Sequence, residues 1–452
     1  MSKTYEIRDP IHGFITLNEW ERDIINHPVF QRLHRIRELA FTDMVYPGAG
    51  HTRFEHSLGV MHVISQMFDQ IKLRNESLLY SELGYTPAGL ERDRTLVRLA
   101  ALLHDVGHPP FSHVGEDLMP VDPGTGRPYK HENYSAAVVT YVLNDIIEGH
   151  PLNQNYKIKA QEIADFLNGS ATIGRVLLWR DLLSGQLDAD RADYLLRDSH
   201  HIGVNYGRYD LGRLLVSLTV AIDSETNSPI IAVDKGGMHA AEGLILARYM
   251  MFTQVYFHHT RRAYDHHAAA AIKSLLMDEQ KNCDLERKDL FPPPTTKKNI
   301  ETFLEWDDWK VAGRIKEGAG GEHGAILLER RHHRCVFETP EVPEPHDLEK
   351  MKRVQDALQN KMNILFISKL SDCDPGCDPA TYCFIDEAKN SWYKFEKDDV
   401  RICREEEYGS TPATLSSLSN VVKELKAVNQ FRIYVPYHLK KEAIKIVKSL
   451  DC

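Results

Sequence analysis

The segment Ala100-Ala101-Leu102-Leu103-His104-Asp105-Val106-Gly107-His108-Pro109-Pro110 constrains this chain more than any other. Apolar residues at Leu96, Leu99, Ala100 and Leu103 have helical spacing, and the last turns are apolar around most of their circumference. A helix without a polar face belongs in the interior. This one ends in His104 and Asp105, and Pro109-Pro110 break the chain beyond it. The fold must therefore carry an imidazole and a carboxylate inward, where neither is tolerated without partners. Backbone groups could satisfy an isolated His-Asp pair. Two other segments offer chemistry instead.

His51-Thr52-Arg53-Phe54-Glu55-His56-Ser57 opens an earlier helix, whose stripe continues through Leu58, Met61, Ser65 and Phe68. Leu187-Asp188-Ala189-Asp190-Arg191-Ala192-Asp193-Tyr194 opens a later one. His56, His104, Asp105 and Asp190 thus come from three helices and can ligate one divalent metal ion. Their mixed nitrogen and oxygen donors suit Mn, Fe, Co, Ni or Zn better than Ca, and Mg is a further candidate. Four protein ligands on an octahedral ion leave room for a water and a phosphate oxygen. Such an ion lowers the pKa of the water and polarises the phosphoryl group. Asp190, Tyr194 and Asp198 share one helical stripe, a poor core face but a good pocket lining.

A chain of 452 residues, 42% hydrophobic and 27% charged, can bury a large core and form more than one domain. The start, MSKTYEIRDP, lacks a signal-peptide apolar core, and no apolar run reaches the ~20 residues of a membrane span. Seven cysteines at this length do not make a disulfide scaffold, so the expected location is cytoplasmic. The net charge of -10 argues against a dedicated nucleic-acid binder, although Arg32, Arg35 and Arg37 share one segment. A small polyanion remains compatible, because local arginines and a metal can hold phosphate in an acidic protein.

The predicted fold class is mainly α: a large all-helical domain at 1–276, a Pro- and charge-rich connecting region at 277–346, and an α+β lobe at 347–452. Pro292-Pro293-Pro294 mark the connection. Strands are predicted at Ile364 to Ile367, near Tyr382, Trp392 and Val400, and at Phe431 to Val435, with a final helix. Cys373, Cys377, Cys383 and Cys403 read as reduced thiols rather than a zinc site, and His332-His333 as part of a solvated basic face.

The segments RDPIHGFI, HPVFQRLHRIREL, HTRFEHSLGV, LLHDVGHPPFSH, KHEN, LDADRADYLLRDSHHIG and RRAYDHH, in this order, resemble the HD-domain deoxynucleoside triphosphate triphosphohydrolases. That group includes bacterial enzymes and the vertebrate SAM-and-HD-domain enzyme. The resemblance covers nearly all of 5–270. It implies metal-dependent cleavage of a dNTP to deoxynucleoside and triphosphate, by water attack at the α-phosphorus. It assigns the metal to His56, His104, Asp105 and Asp190, and the catalytic histidines to His108, His113 and His131 with acidic partners Glu116 and Glu132. Either His113 or His131 would protonate the leaving 5′ oxygen, whereas His108 is equally well read as a supporting group. Arg53 and Arg191 would face the phosphates. Glu38, Leu39, Asp188, Tyr194, Asp198 and Tyr264 would line the rest of the substrate pocket, with Tyr264 against the 2′ carbon.

Three departures matter. Glu38 stands where the family has Gln, and Tyr256 where the vertebrate enzyme has a phosphate-binding Arg. The vertebrate enzyme reads an activator guanine at subunit contacts, but Asn26, His34 and Tyr5 lack the charges used there, while Gln31 and Arg32 match. A homo-oligomer, dimer or tetramer, and a nucleotide effector are implied by resemblance only. The competing readings are an HD phosphohydrolase of another nucleotide or phosphate ester, and a nucleotide sensor without turnover.

Overall fold

The computed structural model describes residues 3–223, 226–282, 290–362, 364–367, 378–393, 395, 399–403 and 412–450. Helices dominate, as the periodicity requires. The helix Pro87–Leu103 starts on a proline, is capped by Thr86 Oγ1 accepting from the Gly89 N–H at 3.0 Å, and is buried through Leu99, Ala100, Ala101, Leu102 and Leu103. Against it pack helices Arg53–Arg74, Ala160–Asn168 and Leu177–Ser184; Ala189–Ile202 packs in turn on Arg53–Arg74, and His131–Tyr141 on Ala160–Asn168. The N-terminal strands β1 (Tyr5–Asp9) and β2 (Gly13–Leu17) form an antiparallel hairpin that joins the helical core through Ile15 and Leu17.

Residues 297–329 contribute helices Lys297–Leu304, Asp308–Lys316 and Gly321–Glu329. Phe291, Ile300, Phe303, Trp306, Val311 and Ile315 are all buried in the same large core as the Pro87–Leu103 helix. Strands β3 (Leu218–Ile222) and β4 (Pro229–Asp234) pair antiparallel; β8 (Arg401–Cys403) adds parallel to β4, and β9 (Ala413–Thr414) closes that sheet. The second sheet orders β5 (Arg334–Glu338), β10 (Val428–Val435), β7 (Tyr382–Asn390) and β6 (Leu365–Ile367). One face packs on helices Pro345–Met362 and Lys440–Lys448 through Val354, Leu358, Ile433 and Ala443. Tyr382, Phe384 and Tyr434 pack with Ala263 of helix His259–Asn282.

The expected strands at Ile364 to Ile367, Tyr382, Val400 and Phe431 to Val435 correspond to β6, β7, β8 and β10, whereas Trp392 follows β7 as a buried anchor outside any strand. The solvated reading of His332-His333 is wrong: both are buried, at 4% and 1% exposure. They enter β5 where it meets helix His259–Asn282, and burial pushes both imidazoles down to about 3, so they pack uncharged. Cys335, Cys383 and Cys403 are free thiols; Cys373 and Cys377 lie outside the described residues. No described helix is long and apolar enough to cross a membrane.

Candidate active site

Three helix ends deliver the predicted ligands to one point. His56 lies in the first turn of Arg53–Arg74, where Glu55 accepts from the Thr52 N–H at 3.3 Å. His104 caps the end of Pro87–Leu103, with Asp105 next to it. Asp190 opens Ala189–Ile202, whose cap Asp188 accepts from the Arg191 N–H at 2.8 Å. His56 Nε2 is 3.1 Å from Asp190 Oδ1 and 3.7 Å from Asp105 Oδ2. His104 Nε2 is 3.3 Å from Asp105 Oδ1 and 3.9 Å from Asp190 Oδ1. Donors each about 2.0–2.2 Å from a shared ion stand about this far apart.

The donor chemistry also fits a cation. His104 Nδ1 donates to the Ala101 carbonyl at 2.7 Å, which leaves a lone pair on Nε2; that nitrogen is buried without a partner. His56, Asp105 and His104 can share a single ion. Burial opposes charge on His56, yet Glu38, Asp190 and Asp193 hold its pKa well above the ordinary value, so the cluster already demands positive charge. Burial likewise opposes charge on Asp105, but Arg53 and the neighbouring imidazoles keep its carboxyl well below the usual range.

Next to these donors lies a second group. Glu116 bridges two imidazoles, holding His131 Nδ1 through one oxygen and His113 Nδ1 through the other at 2.8 Å. Burial disfavours a charged His131, but Glu116 and Glu132 raise it to about 9. Its Nε2 is 3.7 Å from Asp105 Oδ1. His113 is far more open, with 62% of its side chain exposed. His108 stacks on His131 at 3.9 Å and is kept neutral by burial, Arg53 and His131. Gly107 makes this stack feasible: a Cβ there would lie 2.2 Å from the Ser135 nitrogen, so helix His131–Tyr141 sits directly on the backbone.

Arg53 is held by Asp105 at 2.6 Å, Glu38 at 3.1 Å and Ser112 Oγ at 3.0 Å. Phe111 and Ser112 both have positive φ, +56° and +55°, at a typical cost of about 1–3 kcal/mol each. Ser112 Oγ donates to the Arg37 carbonyl at 2.6 Å, and Asp308 accepts from the Phe111 and Arg37 N–H groups at 2.7 and 2.8 Å. Arg191 folds back onto Asp188 and the Gly185 carbonyl, and burial pushes Asp188 up to about 7. Asp198 takes His51 Nε2 at 2.7 Å and the Tyr256 hydroxyl at 2.5 Å. Tyr194 meets Tyr256 edge-on at 6.2 Å, Leu39 is buried, and Tyr264 is fully buried, its ring 4.3 Å from His332 and 6.4 Å from Phe41.

Asp308, Ser112, His51 and Asp193 were not foreseen. The signal for Asp308 is the Trp306-Asp307-Asp308-Trp309 run after a proline stretch, a helix-start pattern whose target no sequence rule gives. Arg32 is only 2% exposed and donates to the Trp306 and His108 carbonyls. Arg35 pairs with Asp307 and Arg37 with Asp43, so the three arginines form no free basic stripe.

The HD domain profile matches residues 53–198, and that of the HD associated region matches 209–290. An uncharacterized protein of Methanocaldococcus jannaschii is 36% identical over 63% of this chain and 52% of its own length. The deoxynucleoside triphosphate triphosphohydrolase SAMHD1 of Gallus gallus is 30% identical over 61% of this chain and 45% of its own. The chain thus spans about half the length of these curated relatives. A hypothetical protein from Aquifex aeolicus, solved by crystallography, superposes with a TM-score of 0.73 at 26% identity, covering 98% of this chain and 100% of that one.

Proposed function

Because the chain belongs to the HD-domain family, with an HD domain followed by an HD associated region, we propose that it hydrolyses deoxynucleoside triphosphates to deoxynucleoside and triphosphate. The observation that carries this reading is the converging set His56, His104, Asp105 and Asp190 with the Glu116-held His131 beside it. A divalent ion held by those four residues would activate a water and polarise the α-phosphate.

The chain's own groups supply the rest. His131 carries its proton at Nε2 because Glu116 accepts from Nδ1 and favours the charged ring. As the bond between the α-phosphorus and the 5′ oxygen breaks, that proton passes to the oxygen, whose alkoxide leaves poorly alone. His113 shares Glu116 and faces solvent, a position from which it can return a proton to the pair. Arg53, already aligned by Asp105 and Ser112, offers its guanidinium to the phosphates. Arg191 must leave Asp188 to do the same. Tyr264, a fully buried ring packed against His332 at 4.3 Å, would exclude a 2′-hydroxyl. The relative named as a dNTP triphosphohydrolase supports the same substrate class.

One observation favours a second substrate. Glu38 presses a carboxylate on Arg53, leaving less net positive charge for a triphosphate and favouring a smaller phosphate ester. Chromatography of early time points with dNTPs, NTPs and monophosphates, over several divalent metals, separates the two. Deoxynucleoside plus intact triphosphate is the expected first pair. Monophosphate plus pyrophosphate, or diphosphate plus phosphate, would overturn the assignment of His131 and His113. Turnover of a single non-guanine dNTP should need no guanine nucleotide, since Arg32 is internal and Asn26 and His34 carry no guanine-reading charge.

A further inference from the structure

We propose that Asp193 is a positioning residue that fixes the tautomer of His56, and that the N-terminal hairpin is a working part of the cleft through Asp9, His12 and Arg197. The inference rests on the reading of the cleft as a divalent-metal centre.

Asp193 is fully buried on the Ala189–Ile202 helix, one turn beyond Asp190. Its Oδ2 takes His56 Nδ1 and Arg197 Nε, both at 2.8 Å. Its Oδ1 takes His12 Nε2 at 2.6 Å and an Arg197 terminal nitrogen at 2.9 Å. A carboxylate accepts about two hydrogen bonds per oxygen, so every acceptor site is filled. Each of the four partners must then donate. His56 is obliged to carry a hydrogen on Nδ1, which reserves Nε2 for the side facing Asp190 and Asp105. A ring protonated on Nε2 instead would point its N–H at the ion and set a bare lone pair against the Asp193 carboxylate.

The supports of Asp193 reach back to the start of the chain. Arg197 also donates to Asp9 Oδ2 at 2.8 Å. The other oxygen of Asp9 accepts from the Ile11 and His12 N–H groups, both at 2.8 Å, which shapes the β1–β2 turn and sets where His12 stands. Asp9 and Arg197 are buried as well. A separate observation agrees. Gly59 lies one turn after His56, and a Cβ there would sit 1.9 Å from Asp193 Oδ1 and 2.4 Å from Arg197. The His56 helix leaves out a side chain where the carboxylate-guanidinium pair must enter. The Arg-Asp-Pro-Ile-His run at 8–12 thereby acquires a physical role, since it leads into the β1–β2 turn, which supports the carboxylate that orients the ligand His56.

The test is calorimetric titration of metal-stripped full-length protein with Mn²⁺. It compares wild type with Asp193→Asn, His12→Phe and His12→Gln, folding being checked by circular dichroism. An amide at 193 must turn a donor toward His56 or His12, so Asp193→Asn should weaken Mn²⁺ binding about 10–100-fold. His12→Phe removes one donor and should weaken it about tenfold. His12→Gln keeps an N–H within reach and should restore most of that affinity. If Asp193→Asn does not fold, the two His12 variants decide. Wild-type affinity in Asp193→Asn or in His12→Phe would overturn the proposal. So would equal loss in Phe and Gln, which would make His12 a packing residue. If wild type itself binds no Mn²⁺, the metal reading fails first and carries this inference down with it.

Discussion

Among the described residues, two buried histidine clusters have opposite chemistry. In the cleft, His56, His104, His108 and His131 face Asp105, Asp190 and Glu116. Where the helix His259–Asn282 meets the second sheet, His266, His267, His323 and His333 face one another and Tyr382. His333 Nδ1 is 3.0 Å from His267 Nε2, and His267 Nδ1 is 2.9 Å from His323 Nδ1. The Tyr382 hydroxyl lies 3.2 Å from His323 Nε2 and 3.1 Å from His266 Nε2, and its carbonyl takes His333 Nε2 at 3.0 Å. Among the described residues, no carboxylate hydrogen-bonds to these rings. Burial is alike in both places. It lowers His323 to about 4 and His333 to about 3, while in the cleft Glu116 overrides it and lifts His131 to about 9. Burial alone therefore does not decide what a buried imidazole does. Its carboxylate neighbours decide whether it binds cations and moves protons or only holds a junction together.

The comparison breaks most visibly if the cleft loses a carboxylate. Asp105→Asn should abolish metal retention, measured by elemental analysis, and lower kcat by more than the about 10²–10⁴-fold of a single general acid. A fully metallated, active Asp105→Asn protein would remove the distinction between the clusters. His131→Gln comes next: kcat should fall about 10²–10⁴-fold with little change in KM, because the proton is needed mainly in the transition state. A matched rise in KM without loss of kcat would make His131 a binding group.

The second cluster should show itself in stability. Its imidazoles are uncharged when folded, and their ordinary pKa is 6.5. In the unfolded chain they take up protons below that value, so their contribution is complete above pH 6.5 and shrinks as pH falls toward 3–4. The slope is about 1.4 kcal/mol per pH unit for each ring, or about 2 kcal/mol per ring between pH 6.5 and 5. Urea unfolding at pH 7.5 and 5 reads the difference. His323→Gln should flatten it by about one ring's share. An unchanged pH dependence would mean that the cluster is already charged in the folded protein.

The cleft was far more legible in the sequence than the junction, for a physical reason. His56, His104, Asp105 and Asp190 each lie at a helix end, marked by a capping residue, a proline break or an acidic first turn, and their order along the chain is itself a signal. The apolar helix at 96–103 likewise announces its burial. The junction is built from residues with no local mark. His323 and His333 are 56 and 66 positions from His267, and a basic run surrounds His332 and His333. Only the strand pairing of β5 shows that the run turns inward. Asp308 is hidden in the same way: its acidic pattern predicts a helix start, while its backbone partners lie 271 and 197 residues earlier. Asp193 sits within a recognisable segment and its pairing with Arg197 is local, but its bonds to His56 and His12 reach 137 and 181 positions along the chain, which spacing cannot foresee.

The smallest effect should come from a ring contact between the two regions. Tyr264 belongs to the proposed sugar pocket, and His332, the neighbour of His333, lies 4.3 Å from it with the rings tilted by 38°. Phe41 is on the same ring at 6.4 Å, and the Tyr264 hydroxyl is buried without a partner. The ring is therefore held by packing and not by a hydrogen bond, so Tyr264→Phe should change little. His332→Leu removes an aromatic contact worth about 0.5–1.5 kcal/mol, which corresponds to about a 2–12-fold change in an equilibrium or rate ratio. If that contact keeps Tyr264 pressed toward the 2′ carbon, His332→Leu should narrow the ratio of kcat/KM for dATP over ATP by a factor in this range. Mn²⁺ affinity should be unchanged, since His332 touches none of the proposed ligands. An unaltered ratio would show that Phe41 and the backbone alone set the ring. A loss of metal binding would show instead that the carboxylate-rich and carboxylate-poor clusters are one mechanical unit, and the contrast between them would no longer separate chemistry from support.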